Sequence, residues 1–254
     1  MPRYALLIEY DGTPFLGWQR QKDGLTVQQV LEEAAAPLNA GVEPVIGGAG
    51  RTDTGVHAEG QVAQVELAAD LPVERVREAL NTRTRPHPVS VLSVARPPEE
   101  WSARFSAVHR AYRYRILNRR ARPGLDLGRV WHVPQRLDAG AMHEAAQMLL
   151  GHHDFSAFRA AACQAKDALR TLDRLDVSRH GEEVVITVEA RSFLHHQVRN
   201  MVGTLAQVGR GARPVNWPRA VLDGRDRTRA GQTAPPDGLC FTGVRYDPPL
   251  EWPI

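Results

Sequence analysis

Apolar residues along this 254-residue chain change their spacing repeatedly, and each change predicts an element. Residues 4–10 form an apolar run that predicts a strand, ended by the turn sequence Asp11-Gly12-Thr13-Pro14. Thr26 with Gln29 three residues on reads as a capping box, opening an Ala-rich helix that runs to about residue 38. Alternation over 61–67 predicts a second strand. Pro72 opens another helix with Val73, Val76 and Leu80 on one face, and 88–95 is a further strand, punctuated by Arg96-Pro97-Pro98. In the second half, 111–117 is strand-like. Asp138 caps a helix striped by Met142, Ala145, Ala146 and Leu149, with Gly151 as its stop. The runs 172–178 and 183–190 pair as a hairpin across His180-Gly181. A helix from about His195 turns Val198, Met201, Val202 and Leu205 inward, and 239–246 closes as a strand. Strands mixed with helices in two similar halves predict an α+β protein with mainly antiparallel sheets. The boundary is expected between 95 and 104, giving an N-terminal domain 1–103 and a C-terminal domain 104–254.

One stretch fits none of these periods: Gly47-Gly48-Ala49-Gly50-Arg51-Thr52-Asp53-Thr54-Gly55-Val56-His57-Ala58. Four glycines within nine residues let the backbone turn and approach a ligand closely. Arg51 and Asp53 sit in the middle, and a guanidinium beside a carboxylate favours its charged form. That is what a nucleophile or a base needs. An Asp in a loop is ordinarily a turn-former, so the run gains meaning only from partners elsewhere.

Composition is that of an ordinary globular chain, 43% hydrophobic and 24% charged. No apolar run approaches the ~20 residues of a membrane span. The start lacks a signal peptide's cleavage pattern, so a cytoplasmic location is expected. Cys163 and Cys240 share no metal-type spacing and are expected to be reduced thiols. The net charge is only +3, yet just two of the 32 basic residues, Lys22 and Lys166, are lysines. A GC-rich genome also raises arginine, so placement counts for more than number. From Arg104 to Arg122 there are seven arginines and no acid, with Tyr112 and Tyr114 interleaved. This is either a solvated basic strand face or an RNA-binding one, with cations for phosphates and rings for bases. The segment Phe193-Leu194-His195-His196-Gln197-Val198-Arg199-Asn200-Met201-Val202-Gly203 places Arg199 at the edge of a buried helix face, where it needs an anionic partner. Asp53 is a candidate.

These pieces together resemble the TruA family of tRNA pseudouridine synthases over nearly the whole chain. Glu9-Tyr10-Asp11-Gly12-Thr13, Phe15 and Gly17-Trp18-Gln19-Arg20-Gln21 look like the family's opening, the 47–58 run like its catalytic motif, and Tyr112-Arg113-Tyr114 like its second. Gly151-His152-His153-Asp154-Phe155-Ser156-Ala157-Phe158, Val198-Arg199-Asn200-Met201-Val202-Gly203 and Thr233-Ala234-Pro235-Pro236-Asp237-Gly238-Leu239 look like later blocks. The resemblance implies two ferredoxin-like (RRM-like) α/β halves joined in one continuous sheet, with the catalytic cleft between them. It implies isomerisation of uridine to pseudouridine at positions 38, 39 and 40 of the tRNA anticodon stem-loop, by a homodimer without cofactor or metal. Carried over residue by residue, Asp53 is the catalytic aspartate, Tyr112 the ring that stacks on the target base, and Arg199 the basic partner of the aspartate. Arg51 handles the extruded nucleotide or its neighbouring phosphate, and Arg104, Arg110 and Arg113 are among the arginines expected to bind substrate. Trp101-Ser102 stands where the family often has Phe-His, and Ala111 where a polar residue is common.

The chemistry suits this set. Pseudouridine forms by breaking the N1–C1′ bond, turning the uracil and rejoining it through C5, with no net redox change or hydrolysis. An ionised carboxylate, a ring and a dry pocket are what it needs. Whether Asp53 attacks a carbon or removes a sugar proton stays open. A non-catalytic RNA-binding protein with the same basic surface is a second reading, against which the Asp53, Tyr112 and Arg199 set argues. A synthase acting on another RNA, or at other tRNA sites, is a third. The pairs His152-His153 and His195-His196, with Cys163, suggest a metal site; neighbours on one helix point about 100° apart, so each pair offers one ligand, and the metal reading is set aside. Phe155, Phe158 and Phe193 are assigned to packing rather than base stacking.

Overall fold

The computed structural model describes residues 1–253. The chain divides into two compact units, one made of Met1–Arg110 with the segment from Cys240 onward, the other of Ala111–Leu239.

The first unit begins with β1 (Arg3–Tyr10), α1 (Val27–Ala35) and a two-residue strand β2 (Gly47–Gly48). It continues with β3 (His57–Glu66), α2 (Val73–Arg83), β4 (Val89–Ala95) and the start of β5 (Ala107–Leu117). β1 pairs antiparallel with β3 on one side and β4 on the other. Alternation along β1 places Ala5 and Leu7 against a cluster of Trp101, Ala103, Ala107, Tyr246 and Ala49, while Tyr4, Leu6 and Ile8 are fully buried on the opposite face. Thr26 caps α1 by accepting from the Gln29 backbone N–H at 3.3 Å. The Gln29 amide nitrogen donates along the helix to Glu33, so the cap is a hydroxyl cap rather than the reciprocal box.

The second unit carries the rest of β5, then β6 (Trp131–His132), α3 (Ala139–Gln147), β7 (Gly151–Asp154), β8 (Leu169–His180), β9 (Glu183–Ala190), α4 (Gln197–Gly209) and α5 (Trp217–Gly224). Its strand order is β5-β9-β8-β7. β8 and β9 form the expected hairpin, with Gly181 at positive φ in the turn and Val184, Ile186, Val188 and Ala190 inward. Asp138 caps α3, whose Met142, Ala145 and Ala146 are buried. The helix stops at Gln147, and Gly151 instead begins β7 with φ +97°. α3 and α4 touch closely because Gly209 has no Cβ, which would lie 2.6 Å from the Met142 sulfur. Strand β10 (Leu239–Tyr246) returns the chain to the first unit, pairing parallel with β3 through Cys240 and Phe241. The expected α+β class and predominance of antiparallel pairing hold, with parallel pairs at β10–β3 and β5–β6. Among the described residues, no helix is long and apolar enough to cross a membrane.

Candidate active site

In the first unit, Asp53 lies in the irregular stretch between β2 and β3, half-buried, with buried Thr52 before it and exposed Arg51 before that. The first two glycines serve the protein's own packing. Gly47 and Gly48 pair with Gln64 and Ala63 of β3, so part of the run is a strand despite having no apolar signal. A side chain at Gly48 would meet the Trp18 indole at 2.7 Å, so the second glycine admits a tryptophan of the opening segment.

Nearly every residue of the stretch is tied down. The Ala49 N–H donates to Val62 O at 2.7 Å, and the Gly50 carbonyl accepts from Gln61 Nε2 at 2.9 Å. The Thr52 carbonyl accepts from Trp18 N–H at 3.1 Å, while the Thr52 hydroxyl shares a 2.8 Å bond with Tyr10. The Asp53 carbonyl accepts from Val56 N–H, and Gly55 N–H donates to Phe15 O. Tyr10 is 4% exposed; burial raises its pKa well above a free phenol's, against the opposing hydrogen bonds of Thr52 and Gln61. The opening segment from Tyr10 to Trp18 is therefore the cradle of the Asp53 stretch, which explains why two distant motifs belong together.

In the second unit, Tyr112 sits on β5, 9% exposed, with its ring edge-on to Phe193 at 5.3 Å between centroids. Phe155 and Phe158 are fully buried, whereas Phe193 is half-exposed and supports the Tyr112 ring. Arg199 lies in the first turns of α4, at the edge of a face formed by Val198, Met201, Val202 and Leu205. Its Nε donates to Ala234 O at 2.8 Å, and the Ala234 N–H donates back to Arg199 O at 3.1 Å. Asn200, fully buried, fixes the same region: its Nδ2 donates to Phe158 O, and its Oδ1 accepts from Arg227 and Thr233. Tyr114 donates to Pro235 O at 2.7 Å. Burial raises the Tyr114 pKa, opposed by the positive charge of Arg199 and reinforced by Asp237. The 233–239 motif is thus a strap that aims Arg199 and locks Tyr114. Asn200 and Gln61 were missed as supporting residues because the groups they bond lie outside their own helix or strand, where no periodicity points to them.

The arginine-rich strand resolves into different roles. Arg104 is exposed with its guanidinium over the exposed Phe105 ring at 5.5 Å, and Arg113 is half-buried. Arg110, expected among the substrate-binding arginines, is 9% exposed, and its guanidinium donates to the carbonyls of Ala49, Ala107 and Arg104. Arg115 is paired with Glu183 and Asp126. The helix that was to start near His195 begins at Gln197, and His196 takes φ +62° at its cap. The two rings stand 4.0 Å apart, so the divergence expected of helical neighbours does not apply. His152 and His153 alternate along β7, bonded to the Thr171 hydroxyl and to Leu150 O. Among the described residues, Cys163 and Cys240 form no disulfide.

A family model described as tRNA pseudouridine synthase matches residues 6–106 and 145–247. The chain is 61% identical over 248 residues to the tRNA pseudouridine synthase A of Acidiphilium cryptum, covering 97% of each sequence. It is 59% identical over 246 residues to the protein of the same name from Paramagnetospirillum magneticum and 58% over 247 residues to that from Methylobacterium nodulans, each alignment spanning 97% of this chain and 96% of the relative.

Proposed function

We infer, because this chain belongs to the tRNA pseudouridine synthase family, that it converts uridine to pseudouridine in tRNA. The observation that carries the reading is the Asp53 stretch: a half-buried carboxylate on a backbone without regular structure, held at the residues on either side of it. Asp53 acts on the target nucleotide, as nucleophile at a carbon or as base toward a sugar proton. The N1–C1′ bond breaks, the uracil turns, and the C5–C1′ bond forms. Tyr112 holds the base, whose removal from the stack costs a few kcal/mol that stacking partly offsets. Arg199 is the cationic partner of the aspartate, and exposed Arg51 handles the extruded nucleotide or its phosphate.

The substrate is the anticodon stem-loop, at positions 38, 39 and 40, and the enzyme works in the cytoplasm as a homodimer. Arg104 and Arg113 contact RNA near the site. In the second unit, an open groove of about 700 Å³ lined by Arg119, Arg120, Arg136 and Arg179 adjoins one of about 830 Å³ that adds Arg210 and Arg213, a surface suited to phosphates. The test is pseudouridine mapping of an unmodified tRNA transcript incubated with wild type or Asp53→Asn. Wild type is expected to modify the stem-loop uridines and the variant to leave them unchanged while still binding. Full modification by the variant would overturn the assignment of Asp53, and no modification by either protein would leave a non-catalytic RNA binder.

A further inference from the structure

We propose that Arg110 and Gln61 are positioning residues for the Asp53 stretch, clamping the two successive carbonyls that lead into it; this rests on Asp53 being the catalytic carboxylate. They reach those carbonyls from different strands. Arg110, near the start of β5, donates through Nε and Nη2 to Ala49 O at 3.2 and 2.9 Å. Its Nη1 donates to Ala107 O at 3.0 Å and Nη2 also to Arg104 O at 2.6 Å, which ties the clamp to the first residue of its own strand and to the turn before it. Gln61, on β3, is fully buried and donates through Nε2 to Gly50 O at 2.9 Å.

The chemistry argues that these are more than filling. Burying a guanidinium and an amide costs far more than burying an apolar side chain of similar size. Gln61 shows the cost openly: its Oε1 is buried and, among the described residues, accepts no hydrogen bond. An amide kept there with half its capacity unused is held for what its nitrogen donates to: the Gly50 carbonyl, and with it the hydroxyl of Tyr10, which in turn bonds Thr52. The clamped carbonyls lie outside the pairing of β2 with β3, three and four residues before Asp53. Downstream, Tyr10 and Trp18 take the Thr52 hydroxyl and carbonyl. Fixed points therefore bracket Arg51, leaving its side chain exposed between them and the following carboxylate at a set height. A misplacement of about 1 Å at a reacting group can cost about a hundredfold in rate.

The experiment measures kcat, KM, tRNA dissociation constant and melting temperature for Gln61→Leu, Gln61→Glu, Arg110→Lys and Arg110→Met, with Asp53→Asn alongside. Gln61→Leu is expected to lower kcat by about 10- to 100-fold with tRNA affinity near wild type. The carboxyl introduced by Gln61→Glu can donate to Gly50 O only while protonated. Its kcat relative to wild type is therefore expected to rise as pH falls, whereas the Gln61→Leu ratio stays flat. Arg110→Lys, which keeps a donor, is expected to fall between wild type and Arg110→Met. Turnover within twofold of wild type in Gln61→Leu and Arg110→Lys, or losses matched by equal losses in affinity and melting temperature, would overturn the inference. If the Arg110 variants fail to fold, the Gln61 pair decides through its pH profile. A fully active Asp53→Asn would instead sink the underlying assignment, whatever the clamps do.

Discussion

Arg199 is the residue at which two roles for one side chain can be separated. A guanidinium at the edge of an apolar helix face could bind a phosphate or serve a carboxylate, and the fold restricts it before any ligand arrives. Its Nε is committed to Ala234 O, and the strap holding that carbonyl is itself pinned by Asn200 and Tyr114. A side chain aimed this firmly suits an unchanging protein partner better than a mobile RNA backbone. Arg199→Leu is therefore expected to cut kcat by about a hundredfold or more, with tRNA affinity reduced less than threefold, since charge in a dry site is worth far more to a transition state than to binding. Steady-state kinetics beside a filter-binding titration measure both. A loss confined to affinity would make Arg199 a phosphate contact. The sequence revealed Arg199 because helical periodicity places it beside the stripe. It did not distinguish Arg110 from its surface neighbours, because alternation along a strand does not show that a guanidinium is spent on the carbonyl of Ala49, 61 residues away.

Elements with a strong apolar stripe or a capping side chain were legible, and those that are short or built on close approach were not. α3 and α4 announced themselves through Asp138 and through Met201 and Leu205, whereas α5 is eight residues long and its i, i+3, i+4 set of Pro218, Val221 and Leu222 is too short to stand out from a loop. β2 is two glycines, invisible to any hydrophobic pattern, and the side chain missing from Gly48 makes room for Trp18. The coupling between the opening segment and the Asp53 stretch is likewise a matter of contact. Gly17 has φ +92°, and a Cβ there would lie 2.5 Å from the Thr52 carbonyl oxygen. Gly17→Ala is thus doubly penalised, by a left-handed backbone and by a clash with the stretch that presents Asp53. A cost of about 2 kcal/mol corresponds to a fall of roughly 4–8 °C in melting temperature for a chain of this size. Gly181→Ala, in the β8–β9 turn with open space around it, is expected to lose less than half as much and to keep full turnover. Calorimetry and kcat on the pair test this, and equal losses in both would remove the coupling.

At the scale of the whole molecule, the net charge of +3 conceals how the arginines are distributed between two tasks. Many are consumed internally: Arg20 pairs with Glu32 and Glu43, Arg115 with Glu183, Arg174 with Asp176 and Glu189, and Arg159 and Arg179 cap backbone carbonyls. Others, Arg120, Arg136 and Arg213, are exposed along the two adjoining grooves of the second unit, Arg213 lying over the Trp217 ring. An RNA backbone gains from the second group and cannot recruit the first without breaking pairs. Each phosphate neutralised releases counterions, so the logarithm of affinity falls with the logarithm of salt at a slope of about 0.7 to 0.9 per contact. Replacing Arg120, Arg136 and Arg213 together by Gln is expected to lower the magnitude of that slope by about 2 to 3 and to weaken tRNA binding most at low salt. Turnover at saturating tRNA should stay near wild type, because none of the three belongs to the proposed catalytic set. Arg115→Gln is the contrast: it breaks the pair with Glu183 and is expected to leave the slope unchanged while lowering the melting temperature slightly. Titrations between about 50 and 200 mM salt measure the difference. An identical slope for the triple variant and wild type would move the RNA off this face of the second unit and leave its exposed arginines as a solvated surface.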